Sequence, residues 1–203
     1  MASSPPLALD TYYHIYNRGN NRETIFRSDK NYRYFLQLYA KHIFPVADTF
    51  AYCLLPNHFH LLIRTRSPAE QKQTQQASET FRLLSPSQQF SNLFNAYTKA
   101  FNNRYQRTGS LFEHPFDRNP VTTEAYFTRL VAYIHQNPQR HGLIDDFRNW
   151  PYSSYRTLLS SRPTRLRREV VIDWFNGRQQ LEAFHQTQIN EAALESLLLE
   201  DFD

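Results

Sequence analysis

The amino-acid sequence predicts an α+β protein built on an antiparallel sheet. Strand and helix signals follow one another along residues 1–160 in the order strand, helix, strand, strand, helix, short strand, helix. Adjacent strands that can form hairpins, interspersed with amphipathic helices, are typical of an antiparallel sheet with helices packed on one face. The chain has 203 residues, of which 40% are hydrophobic and 15% aromatic. It is therefore long enough to bury a substantial core.

The first half of the chain supplies the first strand, a helix and a hairpin. Residues 12–20 alternate in polarity and end in a glycine turn, which predicts a strand. Asp29 can cap a helix with regularly spaced apolar residues, and Pro45 ends it. The segments "DTFAYCLL" and "HFHLLIRT" flank Pro56 and Asn57, so they are expected to pair through a tight turn.

The second half adds two helices and an extension. Residues 67–89 are polar and rich in Gln and Ser, which predicts a loop or insertion. Residues 90–105 form a cleanly amphipathic pattern, and a further helix is expected from near Thr122 to Pro138. This order of elements indicates a ferredoxin-like, or RRM-like, fold. We expect residues 1–160 to form one domain and residues 161–203 to be a C-terminal extension, first basic and then acidic.

The charge distribution is consistent with a polyanionic partner. The net charge is +4 and the isoelectric point is near 9.2. A basic surface interleaved with tyrosines suits a nucleic acid, but a solvated basic face is an equally good interpretation. The last 14 residues carry five acids and no base. Seven arginines cluster between residues 139 and 168: Arg140, Arg148, Arg156, Arg162, Arg165, Arg167 and Arg168.

Several classes of protein are excluded by composition. Cys53 is the single cysteine, so the chain has neither an internal disulfide nor a cysteine cluster for zinc. We expect it to be a small buried apolar residue. No apolar run is long enough for a membrane span, and the first residues lack the pattern of a signal peptide. The expected compartment is the cytosol.

A histidine pair occupies one face of the predicted strand at residues 58–65. Successive side chains of a strand point to opposite faces, so His58 and His60 share one face while Phe59, Leu61 and Ile63 share the other. Two imidazoles side by side can direct nitrogens at one divalent metal. A partly exposed sheet face with two hydrogen-bonded histidines is the alternative, and the pair alone does not decide between them.

The last predicted helix carries a second pair of polar side chains. Tyr133 and Asn137 are four residues apart, which places them on one face about one turn from each other. The amide oxygen of Asn137 is a reasonable ligand for Mg²⁺ or Mn²⁺, and the phenol of Tyr133 becomes a nucleophile once deprotonated. Tyr133 could equally be an ordinary helix tyrosine, and Asn137 could simply precede the proline that ends the helix.

Taken together, these segments resemble a known family. "PNHFHLLI", "LVAYIHQNPQRHGL" and "WPYSSY", with "YHIYNRGNN" and "GSLFEHPF", are similar in content and order to the HUH single-tyrosine transposases, in particular the REP-associated tyrosine transposases. The likeness extends over residues 12–155. Each segment alone is a weak signal, whereas the ordered set is specific. The fold of that family agrees with the order of elements predicted from the residues.

The resemblance implies a set of roles. His58 and His60 match the metal-binding pair, Tyr133 matches the nucleophile, and Asn137 matches the residue that completes the site for Mg²⁺ or Mn²⁺. Gln136 is a less suitable ligand because it points about 100° away from Asn137 around the helix. His14 could face the same site, but we expect it and His114 to lie in the core or toward DNA.

The implied reaction is nicking and strand transfer of single-stranded or hairpin DNA through a covalent 5′-phosphotyrosine. A replication initiator or relaxase, and a non-cleaving DNA- or RNA-binding protein with the same fold, are the alternatives. The resemblance leaves open whether the protein acts as a monomer or as a dimer that exchanges the tyrosine helix. Candidate DNA contacts, for phosphates and then for bases, are Arg18, Arg22, Lys99, Arg104, Arg107 and Arg118, and Tyr16, Phe112 and Phe116.

Overall fold

The computed structural model describes residues 6–75 and 81–187, and their strands form one sheet. The four strands are β1 (Tyr12–Arg18), β2 (Ala47–Leu54), β3 (His58–Thr65) and β4 (Asp117–Pro120). Their order is β2-β3-β1-β4, and every neighbouring pair is antiparallel. Since β3 lies between β1 and β2, the sheet has the split β-α-β arrangement of a ferredoxin-like fold. The predicted fold class is confirmed.

Helices cover both faces of this sheet. On one face, α1 and α3 pack on the side of β3 that carries Phe59, Leu61 and Ile63. On the other face, α4 and the helices that follow it pack around Leu62. The helices of the described residues are α1 (Asp29–His42), α2 (Pro68–Thr74), α3 (Pro86–Tyr105), α4 (Glu124–Arg140), α5 (Tyr155–Leu159), α6 (Arg168–Trp174) and α7 (Arg178–Gln186).

The second helical layer corrects the expectation of helices on one face. Besides the histidines, the second face of the sheet presents the rings of Tyr12 and Phe50. Phe127 of α4 packs edge-on against both, with ring centroids 5.8 Å from Tyr12 and 5.4 Å from Phe50. Because such apolar surface is costly to leave in water, a helix covers it. This layer also brings α4 over the histidines.

A short helix, α2, lies within the stretch that was expected to be a loop. Ser67 and Glu70 form a reciprocal cap: the hydroxyl of Ser67 accepts from the Glu70 amide at 3.3 Å, and the Glu70 carboxylate accepts from the Ser67 amide at 2.8 Å. The sequence S-P-A-E is the signature of this capping box and was missed in a polar segment without apolar periodicity. No helix of the described ranges is both long and apolar enough to span a bilayer.

Helix α4 differs from its predicted bounds at both ends. It is capped by Thr123 rather than Thr122, since the hydroxyl of Thr123 accepts from the Tyr126 amide at 3.1 Å. It also continues past Pro138 to Arg140. Proline removes one amide donor, but the amide of His141 still closes the last turn on the carbonyl of Asn137 at 3.0 Å. The predicted acidic tail lies outside the described residues.

Gly19 follows the end of β1 and is hydrogen-bonded to the turn that precedes β3. Its amide donates to the carbonyl of Asn57 at 2.8 Å. A Cβ at this position would lie 2.2 Å from the carbonyl oxygen of Glu23 and 2.9 Å from Cγ2 of Ile25. The absence of a side chain therefore permits the close approach that aligns the turn before His58.

We expect Gly19→Ala to lower the free energy of unfolding by about 3 kcal/mol, because backbone must shift to admit the methyl group. Urea denaturation measures the loss. Gly142→Ala is the control: its Cβ would meet nothing within 4 Å, and φ is +65°. That variant should lose only about 1 kcal/mol, from left-handed strain. Equal losses for the two variants would contradict the steric explanation.

Candidate active site

Strand β3 delivers two histidines to the face covered by α4. His58 and His60 lie on the same side of the strand, with ring centroids 5.2 Å apart. In the neighbouring strand β1, Arg18 is paired with His58 and Tyr16 with His60. The period-two geometry of a strand thus gives the shared face that the sequence pattern predicts.

Helix α4 brings a phenol and an amide to these rings. The ring centroid of Tyr133 lies 5.5 Å from that of His60, in edge-on contact. The Oδ1 atom of Asn137 lies 3.3 Å from Nε2 of His58. Both pairs are far apart in the chain, so the contact depends on how α4 packs on the sheet. The structure brings the four predicted site residues together; their chemical roles remain predictions.

The hydrogen bonds of His58 leave one nitrogen facing Asn137. Burial lowers the pKa of His58 to about 3, with His141 as a smaller cause, so the ring is neutral at pH 7. Its Nδ1 lies 2.7 Å from Oδ1 of Asn57, an acceptor, and therefore carries the proton. The lone pair of Nε2 then faces the Oδ1 atom of Asn137, as that amide is placed. Two acceptors that face each other at 3.3 Å suit a shared cation.

A third histidine contacts His60 from the neighbouring strand. Nε2 of His14 lies 3.0 Å from Nδ1 of His60, and the rings are stacked with centroids 5.2 Å apart. Burial lowers the pKa of His60 well below its usual value and that of His14 to about 3, so both are neutral. Since Nδ1 of His60 is engaged, Nε2 is its remaining nitrogen for a ligand. His14 thus faces the site, through the alternation of β1.

The donor set fits a divalent metal only if an amide takes part. Within residues 6–75 and 81–187, no group of three or more His, Cys, Asp and Glu side chains is arranged to hold a metal ion. The two histidines and Asn137 would therefore supply two neutral nitrogens and one neutral oxygen. A divalent cation with these ligands keeps its full positive charge, which favours further anionic ligands such as phosphate.

One cation and a further histidine lie beside the candidate site. The guanidinium carbon of Arg140 lies 5.1 Å from the ring centroid of Tyr133. The ring centroid of His141 lies 5.0 Å from that of His58, and burial followed by Arg140 and Arg18 lowers the pKa of His141. Sequence reasoning missed Arg140 and His141 as site residues. Their signal was position, since both follow Tyr133 by about two helical turns at the end of the same helix.

Three of the candidate DNA contacts pack or pair within the protein itself. Phe112 and Phe116 are buried in the core beside Phe94, which corrects the expectation that they stack on bases. Arg107 is held by both oxygens of Glu23, at 2.9 and 2.8 Å from Nε, so it ties the loop after α3 to the segment after β1. This internal pairing could not be read from sequence spacing, because the two residues are 84 positions apart.

The remaining candidates divide between the two faces. Tyr16 is also buried, beside His14 and His60, with ring centroids 4.8 and 5.9 Å away, which corrects the expectation that it stacks on bases. Exposed Lys99 and Arg104 belong to α3, which packs on the face opposite the histidines. Contact with DNA remains a prediction for Lys99 and Arg104, as it does for Arg18, Arg22 and Arg118.

Gln136 and His135 face the C-terminal helix instead of the histidine pair. The side-chain amide of Gln136 donates to the carbonyl of His185 at 2.7 Å, which argues against its use as a metal ligand. Nδ1 of His135 lies 2.8 Å from Nε2 of His185, and both rings are buried. Helix α7 of the C-terminal extension is therefore packed directly on the tyrosine helix.

We expect this buried pair to make stability fall in mild acid. Burial lowers the pKa of His135 well below its usual value and that of His185 to about 4, whereas unfolded histidine titrates near 6.5. The unfolded chain thus binds more protons between about pH 6.5 and 4, so unfolding becomes easier as pH falls through this window. Urea denaturation at pH 7.5 and 5 measures the loss. The double variant His135→Leu/His185→Leu should show a smaller loss, and an unchanged loss would contradict the assignment.

The chain thus forms a ferredoxin-like sheet whose histidine pair lies under a tyrosine-bearing helix. A solved structure of a REP-associated tyrosine transposase bound to a REP hairpin matches it with a TM-score of 0.53 and 16% identity, over 80% of this chain and 88% of that one. At this identity the match establishes the fold.

A curated relative points to the same family by sequence. A protein of Haemophilus influenzae, assigned by name to the REP-associated tyrosine transposases, is 26% identical over 110 residues, which are 53% of this chain. The match covers 58% of that relative's length, less than two thirds. No family model matches the chain. The resemblance to REP-associated tyrosine transposases is thus confirmed.

Proposed function

We propose that this protein nicks and rejoins single-stranded DNA next to a hairpin, through a covalent bond between Tyr133 and a 5′-phosphate. The observation that carries the proposal is the convergence of Tyr133 and Asn137 with His60 and His58, at 5.5 Å between ring centroids and 3.3 Å between atoms. The choice of DNA is supported by the name of the curated relative and by the hairpin named with the similar structure.

In this proposal Tyr133 is the catalytic residue. Its phenolic oxygen attacks phosphorus in line, loses its proton to solvent and forms the tyrosine–phosphate bond, while the bond to the 3′-oxygen breaks and that oxygen takes up a proton. The reverse attack by another 3′-hydroxyl restores a phosphodiester, so no external energy source is needed. The guanidinium of Arg140, 5.1 Å from the ring, favours both the phenolate and an approaching phosphate.

His58, His60 and Asn137 would hold a divalent metal in this scheme. Such an ion, Mg²⁺ or Mn²⁺, polarises the scissile phosphate when bound. The protein's part is to present neutral imidazoles. Burial, by lowering the pKa of His58 to about 3, keeps its Nε2 lone pair available at neutral pH. Asn57 orients that ring through Nδ1, at 2.7 Å, as outer groups do for metal-bound histidines.

The tyrosine acts in cis in this proposal. The ring of Tyr133 contacts His60 of the same chain, and α4 packs on its own β2 and β3. A single chain therefore contains every side chain that the reaction uses, and a monomer suffices. Exchange of α4 between two chains would first have to break these contacts.

Adduct formation tests the proposal. The protein is incubated with 5′-overhang hairpin DNA, labelled on the side that keeps the 5′-phosphate, with Mn²⁺, with Mg²⁺ or with a chelator. With metal, we expect a protein–DNA band that survives denaturation and is lost on treatment with protease. With the chelator, we expect no such band. Hairpins of varied sequence are needed, since the target is not known. Binding to such DNA without any adduct, at every metal tested, would favour a non-cleaving binding protein and overturn the proposal.

A further inference from the structure

Two of the sequence segments that led to this family meet behind the tyrosine helix. His135, in "YIHQNP", follows Tyr133 by two residues, which turns it about 200° around the helix and away from the histidine site. There its Nε2 lies 2.7 Å from the hydroxyl of Ser154, in "WPYSSY". Both side chains are fully buried, at 0% exposure. The proposed reaction uses neither of them.

These groups belong to a hydrogen-bonded chain with one consistent direction. Nδ1 of His185 donates to the carbonyl of Leu181 at 2.7 Å, so its Nε2 accepts from Nδ1 of His135 at 2.8 Å. Nε2 of His135 must then accept from the hydroxyl of Ser154. That hydroxyl in turn accepts from the amide of Tyr52 in β2, at 2.9 Å.

This series of hydrogen bonds therefore joins three elements, α7, α4 and β2. A second contact reinforces the first junction, because the side chain of Gln136 donates to the carbonyl of His185 at 2.7 Å and to that of Thr187 at 3.3 Å. Every polar atom of the two histidine rings has a partner. A buried network of this kind fixes one arrangement, since any shift of α4 would leave polar groups unpaired.

We propose that α7 holds the tyrosine helix in its reactive position, with His135 and His185 as positioning residues. The effect of this positioning on catalysis rests on the proposed function, whereas the contacts between α7 and α4 do not depend on it. Position matters here because an attack in line requires the nucleophile within a fraction of an ångström of its place. The rings of His135 and His185 fix the side of α4 opposite Tyr133, so they act on the phenol through the helix.

Three single variants of α7 test this. His185→Leu removes the acceptor for His135, and His185→Gln retains an acceptor near the position of Nε2. Phe184→Ala is the matched control: it removes the ring contact with Phe175, whose centroid is 5.3 Å away, and leaves the hydrogen-bonded chain intact. For each we measure the thermal midpoint, amide hydrogen exchange of residues 131–137 without DNA, the dissociation constant for hairpin DNA, and the single-turnover rate of adduct formation at saturating DNA.

We expect His185→Leu to speed exchange in α4 and to slow adduct formation about tenfold or more, with DNA affinity within about threefold of the wild type. His185→Gln should restore most of both. Unchanged hydrogen exchange of residues 131–137 in His185→Leu would overturn the inference. So would a Phe184→Ala variant that has the same loss of thermal midpoint as His185→Leu and changes exchange and adduct formation equally. A wild-type protein that forms no adduct would refute the proposed function alone, because the exchange measurement still decides whether α7 positions α4.

Discussion

Tyr133→Phe is expected to abolish the covalent protein–DNA adduct, with a loss of about 10⁴-fold or more, the scale seen when a catalytic nucleophile is removed. The substitution removes one oxygen and keeps the ring. The contact with His60, 5.5 Å between centroids, and the position beneath Arg140 therefore remain available. DNA affinity should stay within a few-fold of the wild type, because the cations proposed to contact phosphate are untouched. Denaturing electrophoresis measures the adduct, and fluorescence anisotropy measures binding.

Tyr126→Phe is the matched control for this experiment. Tyr126 lies on the same helix, is also buried, and loses the same hydroxyl. Its adduct should form at near the wild-type rate. An adduct that persists in Tyr133→Phe would show that another residue attacks the DNA, and the assignment of Tyr133 would fail even if the protein proved to be a nuclease.

His58→Ala is expected to reduce adduct formation by about 10²–10³-fold, the scale of losing a group that stabilises charge in the transition state. His58 is half-buried, its Nε2 is 3.3 Å from Oδ1 of Asn137, and its Nδ1 is already used by Asn57. Alanine therefore removes one of the three proposed metal ligands without touching the proposed nucleophile. Affinity for DNA in the absence of metal should change little.

A direct measurement of metal binding separates this role from a structural one. Mn²⁺ titration followed by electron paramagnetic resonance, without DNA, should show weaker binding for His58→Ala and for Asn137→Ala. His42→Ala, on α1 across the sheet, should bind Mn²⁺ as the wild type does. If all three variants bind the ion equally, the histidine pair does not hold it, whatever happens to the rate.

Local patterns predicted the elements that carry the site. The hairpin around Pro56 and Asn57 and the alternation of β3 placed His58 and His60 on one face, because strand periodicity is a property of the backbone itself. The spacing of Tyr133 and Asn137 likewise follows from the turn of a helix. In each case the relevant distance along the chain is short enough for covalent geometry to decide it.

The parts that escaped prediction depend on packing between distant segments. No periodicity relates His14 to His60, which are 46 positions apart, or His135 to His185, which are 50 apart. The burial of Phe112 and the pairing of Arg107 with Glu23 are likewise tertiary facts. A residue's type and local spacing are the same whether it stacks on a base, packs in a core or binds a neighbouring carboxylate.

The separation between His58 and Asn137, 79 residues, has a consequence for the protein during its synthesis. Chains emerge from the ribosome at about 5–20 residues per second, amino terminus first. The strand with its histidines is therefore outside for several seconds before α4 follows, and α7 emerges later still. A nascent chain that ends before α4 cannot bring Tyr133 to His60, so the two rings can meet only after the tyrosine helix has left the ribosome.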